Sequence, residues 1–133
     1  MNTNPDLQLS SELAELYLEN KEWRSEIDFL KDEHRFFTKL LAADRSAIKN
    51  PPAEQIELIK TSLAVLKQQL DDLESLTSKH QDLIESIFTD SEQRVGLELI
   101  EQNAVINKEI KQLLAADRTI KKNLFELVEG LAI

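Results

Sequence analysis

No cysteine occurs among the 133 residues, glycine occurs twice and proline three times. Without cysteine there are no disulfides, no thiolate metal sites and no cysteine nucleophile. So few turn-formers exclude an all-β fold, which needs Gly, Asn-Gly or Pro at each of many turns. Cations are also in short supply. There are 16 Lys and Arg against 25 Asp and Glu, a net charge of −9 and a pI near 4.7. Binding a phosphate backbone needs clustered Lys and Arg to displace counterions, so a nucleic-acid partner is not expected. The unbroken apolar runs reach only three or four residues, far short of the roughly 18 to 20 that span a bilayer. The opening stretch MNTNPDLQLSSEL has neither the basic start nor the apolar run of a signal peptide. No membrane association and a cytoplasmic location are therefore expected. What is present is enough apolar side chain, 41% of residues, to offset the entropy lost on folding.

The apolar residues repeat on a 3-4 spacing, the mark of an amphipathic helix or coiled-coil seam. The first stripe runs Leu13, Leu16, Asn20, Trp23, Ile27, Leu30, His34, Phe37, Leu41, Asp44 and Ile48. Ser10 and Ser11 before Glu12 suit its start, and Asn50-Pro51-Pro52 ends it. The second stripe runs Ile56, Ile59, Leu63, Leu66, Leu70, Leu73, Thr77, His80, Ile84 and Ile87. The third runs Leu99, Asn103, Ile106, Ile110, Leu113, Asp117, Ile120, Leu124, Leu127 and Leu131. Thr89 with Glu92 fits a capping box for this third segment, with Asp90 and Ser91 as rival caps, which places Gly96 inside its first turns. The spacing thus predicts helices over about 10–49, 53–88 and 90–131, with residues 1–9 disordered or loosely ordered. Short connections make successive helices antiparallel. The expected fold is all-α, an elongated up-down-up three-helix bundle with coiled-coil-like seams. The alternative is a single helix over 53–131, which would have to dimerise to bury its stripe.

The hexapeptide LeuLeuAlaAlaAspArg occurs twice, at 40–45 and 113–118. Reflection through turns near 51 and 90 places the two copies at one height. Asp44 would then pair with Arg118, or Asp117 with Arg45, across the first and third helices. The same reasoning gathers Asn20, His80 and Asn103 into one polar core layer. Such a layer costs stability and fixes register. His34 is expected near Leu70 and Ile110.

Few side chains offer chemistry. Di-iron bundles carry Glu three residues before each ligating His, whereas Lys31 precedes His34 and Thr77 precedes His80 at that distance. Two histidines cannot supply a three-His zinc site. His34 and His80 are therefore only weak metal candidates, and no cofactor is expected. There is no Gly-x-Ser-x-Gly and no glycine-rich phosphate loop, so no catalytic residue is assigned.

Charge is unevenly placed. On the expected layout one half of the bundle, 37–68 with 107–133, holds ten basic and seven acidic side chains, a net of +3. The other half, 1–36 with 69–106, holds six basic and eighteen acidic ones, a net of −12. Such polarity favours antiparallel self-association or a basic partner at the acidic end. The first helix also carries apolar residues beyond its stripe. Phe29 and Phe36 are seven apart and share a face with Leu40. This is the candidate interaction face, unless a wide core stripe absorbs it. The expected function is a non-enzymatic helical interaction or structural protein that binds protein, first of all a second copy of itself. The alternatives are a metal- or ligand-binding bundle using His34 or His80 with carboxylates, and an acidic regulator of a basic protein.

Overall fold

A computed structural model describes residues 5–42, 53–89 and 96–131. They form three helices, α1 (Pro5–Ala42), α2 (Ala53–Thr89) and α3 (Leu97–Leu131). At 1.5 Å per residue each is roughly 50 to 57 Å long.

Local chemistry explains the ends. Pro5 opens α1, where its fixed φ suits a first turn and its missing N–H has no intrahelical partner to lose. Residues 5–9 are therefore helical, and α1 starts five residues before the expected boundary at Ser10. Glu54 and Glu98 sit in the first turns of α2 and α3, where the helix dipole favours an acid. Thr89 closes α2 rather than capping α3. Its hydroxyl donates back to the carbonyls of Glu85 at 3.1 Å and Ser86 at 3.2 Å, and so serves the end of its own helix. Gly96 lies just outside α3, not within its first turns. Its carbonyl accepts the Ile100 N–H at 3.3 Å, the position of an N-cap, where glycine is well tolerated. With Gly96 non-helical, residues 53–131 are two helices and not one. The expected stop at Asn50-Pro51-Pro52 and the expected helix over 43–49 lie outside the described residues.

Side-chain contacts give the directions. Tyr17 meets Phe88, Arg24 meets Gln81 and Lys31 meets Glu74, so residue numbers fall along α2 as they rise along α1. These helices are antiparallel. Glu19 meets Asn103 and Glu33 meets Lys121, at separations of 84 and 88 residues, so α1 and α3 run parallel. The topology is up-down-up, and α1 and α3 touch each other least.

The ten buried residues of α2 are the ten on its 3-4 stripe. The seams of α1 and α3 close over them, one side chain deep. The core is not continuous. Seventeen buried residues, from Trp23 to Leu127, make the larger cluster. Leu13, Ile84, Ile87 and Leu99 make a smaller one at the end where α2 finishes and α3 begins. Between the two lie Asn20, Thr77 and His80, all buried.

The repeat does not align. With α1 and α3 offset by 84 to 88 residues, copies that are 73 residues apart miss each other by eleven to fifteen residues. That is about 16 to 22 Å along the axis. The His80 contacts with Gln102 and Asn103 place the second reversal close to the expected one, so the misfit is shared between both connections and the copies' own spacing. Asp44 and Arg45 lie outside the described residues. Asp117 is buried rather than part of an exposed pair, and the Arg118 side chain donates to the Leu114 carbonyl of its own helix at 3.4 Å.

Candidate functional site

The lower polar layer takes side chains from all three helices. Asn20 of α1 is 0% exposed, and its Nδ2 donates to the Thr77 carbonyl of α2 at 3.1 Å. His80, also 0% exposed, presents Nδ1 to Gln102 Oε1 at 2.9 Å and Nε2 to Asn103 Oδ1 at 3.3 Å, both on α3. Asn103 Nδ2 in turn donates to Glu19 Oε1 of α1 at 3.0 Å. A chain of hydrogen bonds thus runs from α2 through α3 to α1, while Asn20 ties α1 to α2 one turn away. The Asn103 amide is oriented by Glu19, since its nitrogen must face the carboxylate. Its oxygen then faces His80 and accepts from Nε2–H. Only Asn20 Oδ1 is buried in this layer without a partner. Thr77 and Gln102 complete the layer. Thr77 was legible as a seam position, but the use of its carbonyl was not.

His34 is elsewhere. Its Nε2 lies 2.8 Å from the Leu63 carbonyl of α2. It lines an open groove of about 520 Å³ with Lys31, Thr38, Lys67, Leu70 and Asp71. The expected neighbour Leu70 is there. Ile110 is not, because the α1–α3 offset carries His34 past it toward residues 118–122. His34 and His80 are fourteen α1 residues apart in height, measured from Asn20, or about 21 Å. They do not share a site. Among the described residues no three His, Cys, Asp or Glu side chains come together in a way that could hold a metal.

A second polar cluster joins α1 to α3. Glu33 Oε1 takes the Lys121 ammonium at 2.8 Å, and Lys121 also lies over the Phe37 ring at 6.0 Å. The Glu33 and Asp117 carboxyl groups interact across the α1–α3 contact, and Glu33 Oε2 and Asp117 Oδ1 are buried without a hydrogen-bond partner. Burial, then the hydrogen bond and charge of Glu33, push Asp117 up to about 7, against the pull of Lys121. Burial also opposes the Glu33 charge. The hydrogen bonds from Asp117 and Lys121 and the Lys121 charge outweigh it and hold Glu33 below its ordinary value. Sequence reasoning missed this pair. Its one signal was Asp117, an acid on an otherwise apolar stripe with Lys121 four residues on.

The outer face of α1 carries two exposed phenylalanines, while Phe88 of α2 and Phe125 of α3 are exposed singly. Phe29 and Phe36 are each 55% exposed, and Leu40 is half-buried against the core. The Phe36 ring leans edge-on against Phe37, with centroids 6.0 Å apart. The face is therefore neither absorbed by the core nor free of it. Glu15 and Glu22 continue the line of Phe29 and Phe36 at the same seven-residue spacing, and both are exposed. Arg35 and Lys39 are exposed beside Phe36, Arg35 paired with Asp32 on its own helix.

No protein-family model, curated protein or solved structure matches the chain. Among the described residues no helix is long and apolar enough to cross a membrane.

Proposed function

We propose that the protein is a non-enzymatic helical interaction protein that associates with a second copy of itself through the outer face of α1. The observation that carries this reading is the pair of half-exposed phenylalanines on one line of α1. Two large rings in water on a chain so poor in aromatics mark a contact surface more than a solvated face. Charge selects the occupant. The line runs from acid (Glu15, Glu22) to aromatic (Phe29, Phe36), and the cations Arg35 and Lys39 flank its upper end. A two-fold axis passing between Phe29 and Phe36, perpendicular to the helix, sets α1 against an antiparallel α1. Phe29 of each copy then meets Phe36 of the other. A self-complementary patch of this kind is what an isologous dimer requires.

Sedimentation equilibrium tests the reading. Wild type should dimerise, and Phe29→Glu with Phe36→Glu should give a monomer of unchanged helicity, because both positions are half in water. A wild type that remains monomeric at the highest attainable concentration overturns the proposal. A dimer indifferent to both phenylalanines overturns the assigned face.

A further inference from the structure

Glu33 and Asp117 make a buried cluster of two carboxyl groups with one cation, Lys121, and each carboxyl keeps a buried oxygen that has no hydrogen-bond partner. An ionised carboxylate is acceptor-only, so two carboxyl groups hydrogen-bond only when one of them holds a proton. The unpartnered oxygens are Glu33 Oε2 and Asp117 Oδ1, and no donor reaches either of them. The other Glu33 oxygen is occupied by Lys121. The surroundings cannot neutralise two negative charges. Among the described residues Lys121 is the one cation in contact with the pair. His34 follows Glu33 in sequence, but its Nε2 is turned to the Leu63 carbonyl. At that height α2 contributes Leu63 and Leu66, which are buried and apolar. The Lys31–Glu74 ion pair lies on the α1–α2 side, already mutually satisfied. Asp117 itself is 4% exposed, so water does not reach it freely.

We propose that Glu33 and Asp117 form a proton-dependent clamp between α1 and α3, closed when the pair shares one proton and loosened when that proton leaves. The proposal stands independently of self-association, although Glu33 lies between Phe29 and Phe36 on the same side of α1. The clamp sits at the least closely packed of the three helix contacts. A gain of like charge there acts where the fold resists it least. Lys121 stays with Glu33 throughout, so the proton leaves from Asp117.

The direction of the pH effect follows. The folded Asp117 is raised to about 7, above its unfolded value of about 3.9. Its contribution is complete below about 4 and is lost as pH rises through 7. Glu33 is lowered, so its contribution is present at neutral pH and is lost only as pH falls below the ordinary carboxylate range. Between pH 5 and 8 the Asp117 effect is therefore alone among the pair.

Two measurements test the clamp. Urea unfolding at pH 5 and pH 8 should show the folding equilibrium constant of wild type falling by about tenfold or more, one proton giving at most a decade per pH unit. Asp117→Asn keeps a donor for Glu33 and cannot ionise, so the Asp117 part of this fall should vanish and the variant should be the more stable protein at pH 8. The difference between wild type and variant is the quantity read. Carboxyl carbon NMR on the wild-type protein should show Asp117 titrating near neutrality. This second measurement decides the matter if the variant does not fold. Titration of Asp117 in the ordinary acid range, or an equal wild-type-to-variant difference at both pH values, overturns the clamp.

Discussion

Asn20→Leu should make this protein more stable. The two side chains match heavy atom for heavy atom, so the substitution changes polarity with little change of shape. Asn20 is fully buried and makes one hydrogen bond, Nδ2 to the Thr77 carbonyl at 3.1 Å, while its Oδ1 has no partner. That bond contributes about 0.5 to 1.5 kcal/mol net, and the unsatisfied oxygen costs about 1 to 3 kcal/mol. A buried leucine at the same site contributes about 1.5 to 3 kcal/mol by removal of apolar area from water. The Thr77 carbonyl loses only its second donor, because its helical acceptor role remains. Allowing for imperfect fit, the net gain is about 1 to 2 kcal/mol. Thermal unfolding should shift upward by about 3 to 4 °C per kcal/mol for a chain of this size. Urea titration should show a higher midpoint at unchanged slope. Asn20→Asp is the control of opposite sign, since it buries a carboxylate beside a carbonyl and should cost several kcal/mol. An Asn20→Leu protein less stable than wild type by more than about 1 kcal/mol would show that Oδ1 is in fact satisfied, and the reasoning fails.

The other polar and apolar contacts give separate expectations. His80→Ala leaves Gln102 and Asn103 facing a cavity and should cost about 2 to 4 kcal/mol by denaturant titration; a loss under 1 kcal/mol would mean that water replaces the ring. A double-mutant cycle on Lys31 and Glu74, side chains 26% and 46% exposed, should return a coupling of only about 0.2 to 1 kcal/mol, and less in high salt. Leu30→Ala, at a fully buried position in the larger cluster, should cost about 2 to 5 kcal/mol. Hydrogen exchange should find the amides near Ile84 and Ile87 opening before those near Leu66 and Leu70. The smaller cluster has four buried residues and lies beyond the polar layer; uniform protection along α2 would contradict this.

Seam membership was readable wherever the 3-4 stripe was unbroken, and α2 is the clearest case. A helix whose apolar residues keep that spacing has one way to bury them. Asn20, His80 and Asn103 could be placed because they interrupt such stripes at heights set by short reflections near the middle of the chain. What could not be read was the finer register across two turns, although Asn20 and Asn103 fell in one layer. The height of α3 against α1 depends on where both connections reverse. A displacement of a few residues summed over the two was enough to misplace the LeuLeuAlaAlaAspArg copies and to set His34 against Ile110. The Glu33–Asp117 contact was hidden for the same reason, and for one more. Glu33 lies beside its seam rather than on it, so its burial depends on how α3 leans against α1. Thr89 misled in a different way. Its hydroxyl suits the start of the following helix and the end of the preceding one equally well in sequence, and the longer α2 takes it.

The two polar layers do different work for the fold. An all-apolar seam would tolerate α3 sliding by one heptad, about 10 Å, because leucine and isoleucine repeat at that interval. Such a slide would bring Ile110 to the place of Asn103 and leave His80 and Glu19 without their partner. It would also part Asp117 and Lys121 from Glu33. Each buried group left unsatisfied costs about 1 to 3 kcal/mol, so the slipped bundle loses several kcal/mol against the native one. The lower layer penalises slippage of any helix, because α1, α2 and α3 all contribute to it. The upper cluster adds a penalty to the α1–α3 register alone, which is the contact with least packing to define it. Polarity in this core is thus concentrated where apolar packing discriminates least between registers.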